Sequence, residues 1–200
     1  SVIYIHHNST TMAGVSILDA DEPLGDFKPF LAREADHEYQ VEKIGDQYYI
    51  LTNLQATNYR IMKVHQDNTA DKTKWQDVIS HEADIFIEDF TVFENYLVVS
   101  EKQNGENRIR VVSLKSDQRY NLEFDDSVFS VYLSNNPEVS SRSVRLNYSS
   151  MTTPNTVYEF DLASGERKLL KQDIILGDFS PEYYKSERIF IEARDGKKVP

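Results

Sequence analysis

His37, in the run Asp36-His37-Glu38-Tyr39, is the histidine best placed to do work in this sequence. An imidazole titrates near neutral pH and can donate or accept a hydrogen bond, so His37 and Glu38 read as groups that bond across a junction between repeating units or domains. The other histidines offer less: His6 and His7 are neighbours on a strand, point to opposite faces and cannot chelate one ion together, while His65 and His81 fall in separate units. The acidic stretch Asp19, Asp21, Glu22, Asp26 lacks the ligand spacing and central glycine of a calcium loop and reads as a solvated loop, so no metal site is expected. There is no cysteine, hence no disulfide, thiolate site or cysteine nucleophile. The sequence has no G-x-S-x-G elbow, G-x-G-x-x-G, Walker loop or H-E-x-x-H. No catalytic residue and no cofactor are expected within it.

The elements that position these groups come from a repeat. The β-rich runs Tyr48-Tyr49-Ile50-Leu51-Thr52, Tyr96-Leu97-Val98-Val99-Ser100 and Val144-Arg145-Leu146-Asn147-Tyr148 start at intervals of 48 residues, and the strands that follow them repeat at 49 and 48. Each unit holds four such runs: 39–44, 48–52, 59–64 and 75–79; 85–93, 96–101, 108–114 and 120–124; 128–133, 144–148, 156–162 and 167–171. Turn pairs separate them, among them Gly45-Asp46, Glu94-Asn95, Asn104-Gly105 and Ser164-Gly165. Four short antiparallel strands repeated every 40–50 residues make a propeller blade; a sandwich would be all-β without requiring the period. The fold class is therefore all-β, a partial β-propeller of about four four-stranded blades. The first, residues 1–33, has runs only at 2–5, 15–18 and 27–31 and lacks its innermost strand. Blades follow at 37–80, 84–124 and 127–171. Residues 172–200 differ in texture: a strand over 188–193, the turn Asp195-Gly196 and the start of a partner strand read as the first hairpin of another domain, so the natural protein is expected to continue in both directions.

In this frame Glu88 and Asp89 lie on an innermost strand, whose alternate side chains line a central channel. There a carboxylate attracts basic peptides or forms a salt bridge between blades. Trp75, at the start of an outer strand, reads as blade packing. With 22 basic and 33 acidic residues the net charge is −11, a field that repels nucleic acid and anionic lipid and favours cationic ligands. No apolar run approaches the ~18 residues of a membrane span, no signal peptide opens the chain, and the absence of cysteine suits the cytoplasm. Neither nucleic acid nor a membrane is an expected partner.

The blocks Asp36-His37-Glu38-Tyr39, Glu88-Asp89-Phe90-Thr91-Val92-Phe93, Phe124-Asp125-Asp126, Tyr148-Ser149-Ser150-Met151-Thr152-Thr153-Pro154 and Tyr184-Lys185-Ser186-Glu187-Arg188 occur in that order. Through them the chain resembles the prolyl oligopeptidase family of serine peptidases, most closely its oligopeptidase B branch. The resemblance implies a seven-bladed parent propeller joined to an α/β-hydrolase domain that cleaves short peptides after Lys or Arg. It implies that this chain carries the later blades and stops before the catalytic residues. The parent is then a hydrolase whose propeller gates access, with its own catalytic domain and short basic peptides as partners; the alternative is a free-standing propeller segment acting as a binding scaffold. Because strands alternate in direction, the loops 53–57, 102–106 and 149–154 and the blade-to-blade segments 33–37, 81–84 and 125–127 are expected on the face toward the catalytic domain. The candidate interdomain residues are His37, Glu38, Ser149, Ser150, Thr152 and Thr153. The loop around the last four either faces the other domain or caps its own blade through hydroxyl-to-backbone bonds. An isolated arc exposes strand edges and apolar faces and is expected to self-associate.

Overall fold

The computed structural model describes residues 2–199, and the chain divides between Ile87 and Glu88 into two compact units. The first unit holds two antiparallel sheets. One is β1 (Val2–Asn8), β2 (Ala13–Asp19) and β3 (Lys28–Pro29); the other is β4 (Tyr39–Ile44), β5 (Gln47–Thr52), β6 (Arg60–His65) and β7 (Gln76–Ile79), each paired in chain order. The register follows the hydrophobic pattern. Tyr39 faces Thr52 and Val41 faces Ile50 across β4 and β5, so alternate apolar side chains share one face. Phe30, Tyr39, Tyr48 and Trp75 are buried together, with the rings of Phe30 and Tyr48 edge-on at 5.0 Å. Trp75 precedes β7 rather than beginning it, and its indole N–H donates to the Thr69 carbonyl at 3.1 Å. The Tyr39 hydroxyl accepts from the Val15 amide at 3.1 Å, joining the two sheets of this unit across the segment 33–38.

Strand β8 (Ile85–Val92) opens the next sheet, completed by β9 (Tyr96–Gln103), β10 (Glu106–Ser113) and β11 (Arg119–Asn121). A second four-stranded sheet follows: β12 (Phe129–Leu133), β13 (Ser143–Ser150), β14 (Thr156–Asp161) and β15 (Arg167–Gln172). Between β9 and β10, Asn104 and Gly105 adopt φ of 53° and 78°, the two positive values that a type I′ hairpin turn demands and that this residue pair accepts. The core of the second unit gathers Phe93, Val98, Ile109, Val111, Leu146 and Phe160, and Phe124 stacks on Tyr148 at 5.1 Å. The opposite face of β9 and β10 carries a charged pair. Glu101 is fully buried and accepts a two-pronged contact from the nearly buried Arg110, Nε at 3.1 Å and Nη2 at 2.9 Å. Glu101 is in register with Arg108, which puts Arg110 on the neighbouring diagonal of the same face.

Among the described residues all regular structure is β apart from three short 3₁₀ turns, and no helix is long and apolar enough to cross a membrane. The first and middle strands of the repeats fall close to where the sequence puts them. Three outer strands are shorter than expected: β3 covers only two residues of 27–31, β7 begins at Gln76 and β11 stops at Asn121, whereas β15 runs one residue past its expected end. An outer strand pairs on one edge only, so its ends gain little from staying extended. The strand expected over 188–193 is also corrected. Only β16 (Ile191–Glu192) pairs, with β17 (Lys198–Val199), while 188–190 have no strand partner.

Candidate functional site

In the first unit the segment 33–38 and the loop after β5 meet at one end of their sheet. The Glu38 amide donates to Asn53 Oδ1 at 2.9 Å, and Asn53 Nδ2 donates to the Asp36 carbonyl at 3.0 Å. His37 is buried between them. The Lys72 ammonium, which can only donate, lies 3.3 Å from Nδ1, so Nε2 carries the proton and donates to Thr52 Oγ1 at 3.0 Å. Thr52 Oγ1 also accepts from the Leu54 amide, and Lys72 completes the chain on Glu34 at 2.6 Å. Burial holds the His37 pKa below its ordinary value, and Lys72 lowers it further against the opposing pull of Glu34. Glu38 accepts from the Tyr59 hydroxyl at 2.7 Å; burial first, and this carboxylate second, push the Tyr59 phenol up to about 12. Tyr59 itself holds φ at 65°, a left-handed backbone that a bulky residue adopts only under constraint.

The His37 environment sets a direction for pH dependence. Its folded pKa lies below 6.5, the unfolded value. The stability it contributes is complete above that value and falls as pH drops toward the folded pKa, because the unfolded chain takes up the proton first. Thermal midpoints between pH 7.5 and 5.5 are expected to fall more steeply for the wild type than for His37→Gln. Parallel profiles would show that the imidazole does not titrate there.

In the second unit the hydroxyl-rich segment is organised by a residue outside the candidate set. Asp126 accepts from the Tyr148 hydroxyl at 2.6 Å and from Thr153 Oγ1 at 2.8 Å on Oδ2, and from Thr152 Oγ1 at 3.1 Å on Oδ1. Burial alone would raise its pKa, but the donors Tyr148, Thr153, Ser150 and Thr152 outweigh it and hold the carboxyl below its ordinary value. Ser149 and Ser150 close strand β13 rather than entering the loop, and Ser150 Oγ accepts from the amides of Thr152 and Thr153 at 3.1 and 2.8 Å. The turn is thus pinned at both ends, with Met151 at its tip 86% exposed. The hydroxyls of Thr152 and Thr153 thus turn onto a carboxylate in the segment that leads into β12.

Glu88 pairs within its own sheet. Its partners, Lys102 at 2.8 Å and Asn107 at 3.1 Å, stand on β9 and β10 of its own sheet. Asp89, on the opposite face of β8, is exposed and accepts from the Phe90 amide at 2.8 Å. The candidate residues therefore fall into separate clusters around His37, Asp126 and Glu88. Asp126 was visible as part of Phe124-Asp125-Asp126, but nothing in that triplet says which of the two carboxylates turns toward the hydroxyls.

The sequence profile described as prolyl oligopeptidase, N-terminal β-propeller domain, matches residues 1–173. The chain belongs to the prolyl oligopeptidase propeller family. A family relative, dipeptidyl aminopeptidase BI of Pseudoxanthomonas mexicana, is 38% identical over 200 residues, covering 99% of this chain and 27% of that protein. Protease 2 of Moraxella lacunata is 23% identical over 198 residues, 99% of this chain and 28% of that one. Among solved structures, oligopeptidase B from Leishmania major superposes with a TM-score of 0.86 at 27% identity, over 98% of this chain and 29% of that chain. Oligopeptidase B from Trypanosoma brucei, in a closed form with covalently bound antipain, superposes equally well, at 0.86 and 29% identity over the same shares. The chain thus spans under a third of the length of the peptidases it matches, and its family part is the propeller.

Proposed function

We propose that this chain is the non-catalytic propeller part of a serine oligopeptidase, and that it gates the approach of short peptides to a catalytic α/β-hydrolase domain elsewhere in the parent. The observation that carries this is the superposition on oligopeptidase B over 98% of the chain. On this reading the parent cleaves after Lys or Arg, and the net charge of −11 favours approach of basic peptides. Residues 172–200 are the connector and first hairpin of the catalytic domain, and the cysteine-free composition suits a cytoplasmic protein.

A second reading, dipeptidyl aminopeptidase activity in the parent, is favoured by the 38% identity to the enzyme of that name. One experiment separates them. The full-length parent is assayed with an amino-blocked Arg or Lys amide and with an amide bearing a free amino-terminal dipeptide. Turnover of the blocked substrate supports the first reading; turnover of the free dipeptidyl substrate alone supports the second. Hydrolysis of either by the 200-residue chain by itself would overturn the non-catalytic assignment.

The 200-residue chain alone is expected to self-associate. Leu169, Ile174, Leu176 and Tyr183 are exposed on β15 and in the segment after it, where another domain or copy would cover them. A monodisperse monomer in light scattering across a hundredfold concentration range would refute this.

A further inference from the structure

Beyond β15 the chain runs without strand pairing until β16, with one 3₁₀ turn at Pro181–Tyr183. It then returns to the end of the second unit that carries the Asn104-Gly105 turn and the segment 125–128. Two side chains attach it there. The Ser127 hydroxyl donates to the Ser186 carbonyl at 3.3 Å. The Arg188 guanidinium donates to the Asn104 carbonyl, pairs with the Glu106 carboxylate and lies over the Phe190 ring, 4.8 Å from its centre. The Arg188 side chain is only 15% exposed, although Ile189 and Phe190 beside it lie open. Between this attached stretch, at Glu187 and Ile189, and the residues Asn107, Val128 and Phe129 lies a cleft of about 380 Å³. A guanidinium fork answering one carbonyl and one carboxylate is a directional contact, and here it holds a segment that apolar packing does not.

We infer that Arg188 is a clasp: it fastens the connector to the Asn104–Glu106 turn, limits how far the propeller and catalytic domains part, and so acts as a positioning residue for the length of peptide admitted. This rests on the access reading proposed above. An ion pair on a half-exposed turn is modest in strength, which suits a contact that must open and close rather than one that holds the fold together.

The test uses the full-length parent. The readout is the ratio of kcat/KM for a peptide of about ten residues to that for a blocked single-residue amide, with active-site titration by a serine-reactive reagent to count competent enzyme. Arg188→Ala is expected to raise the ratio by up to about fivefold, the factor an ion pair of this exposure can carry, and to enlarge the radius of gyration in solution scattering. Glu106→Gln, on an exposed turn, is expected to move both in the same direction, which covers the case in which Arg188→Ala does not fold. The charge exchange Glu106→Arg with Arg188→Glu is expected to return the ratio toward wild type. An unchanged ratio in both single variants, or a shift that the exchange leaves in place, overturns the clasp. A wild-type parent that does not discriminate peptides by length overturns the access reading, and the clasp with it.

Discussion

Replacing Glu101 with alanine is expected to destabilise the second unit by about 3–5 kcal/mol, the cost of removing one partner from a buried ion pair. The side chain is fully buried and Arg110 nearly so, so the loss leaves a guanidinium inside the sheet packing without the carboxylate that faced both its Nε and Nη2. Water cannot replace that partner cheaply at such depth. Glu101→Gln keeps the shape and one acceptor and should cost less than the alanine. The paired change Glu101→Leu with Arg110→Met should recover most of the loss, because an apolar pair of similar volume removes both desolvation penalties together. Urea titration followed by circular dichroism checks the series. A nearly silent Glu101→Ala, or a double variant no better than the single, would show that the pair is not held as buried charge.

Burial of this pair is also where sequence reading stops. The runs 96–101 and 108–114 are legible as strands from a period of 48, and the period-two alternation fixes which side chains share a face. It does not say whether that face is covered. Glu101 and Arg110 alternate with apolar neighbours as exposed charges on a half-solvated strand would, and only the packing of the sheet reveals that they are inside. The tail fails for a related reason. Arg188-Ile189-Phe190-Ile191 has strong strand propensity, but a strand needs an edge to pair with; over 188–190 an arginine contact holds the chain instead, and pairing begins at Ile191. His37 was legible as a hydrogen-bonding residue from Asp36-His37-Glu38-Tyr39, but its Lys72 partner was not: it lies 35 positions away on a 3₁₀ turn that carries no periodic signal.

Asp126→Ala is expected to cost about 2–3 kcal/mol, one to two charge-assisted hydrogen bonds net of what solvent restores. The three hydroxyls of Tyr148, Thr152 and Thr153 all aim at this one carboxylate, so no single threonine substitution should match it. Asp126→Asn retains one acceptor and should fall between. The acid limb supplies an independent check. Because the folded pKa lies below the unfolded value of 3.8, the carboxylate's contribution is whole above that value and lost as pH falls through the folded pKa; Asp126→Asn should flatten the wild type's loss of stability in that window. If the turn serves only its own blade, the effect ends there. On the access reading, Met151 is held out by this cradle as an apolar tip toward the catalytic domain, and a small displacement of a positioning group can slow turnover on the order of tenfold or more. Asp126→Ala in the full-length parent, measured below its unfolding transition, should then reduce peptide turnover while Met151→Ala, which leaves the cradle intact, reproduces part of the loss. Full turnover in both variants, with the stability loss present, would restrict Asp126 to capping its own blade.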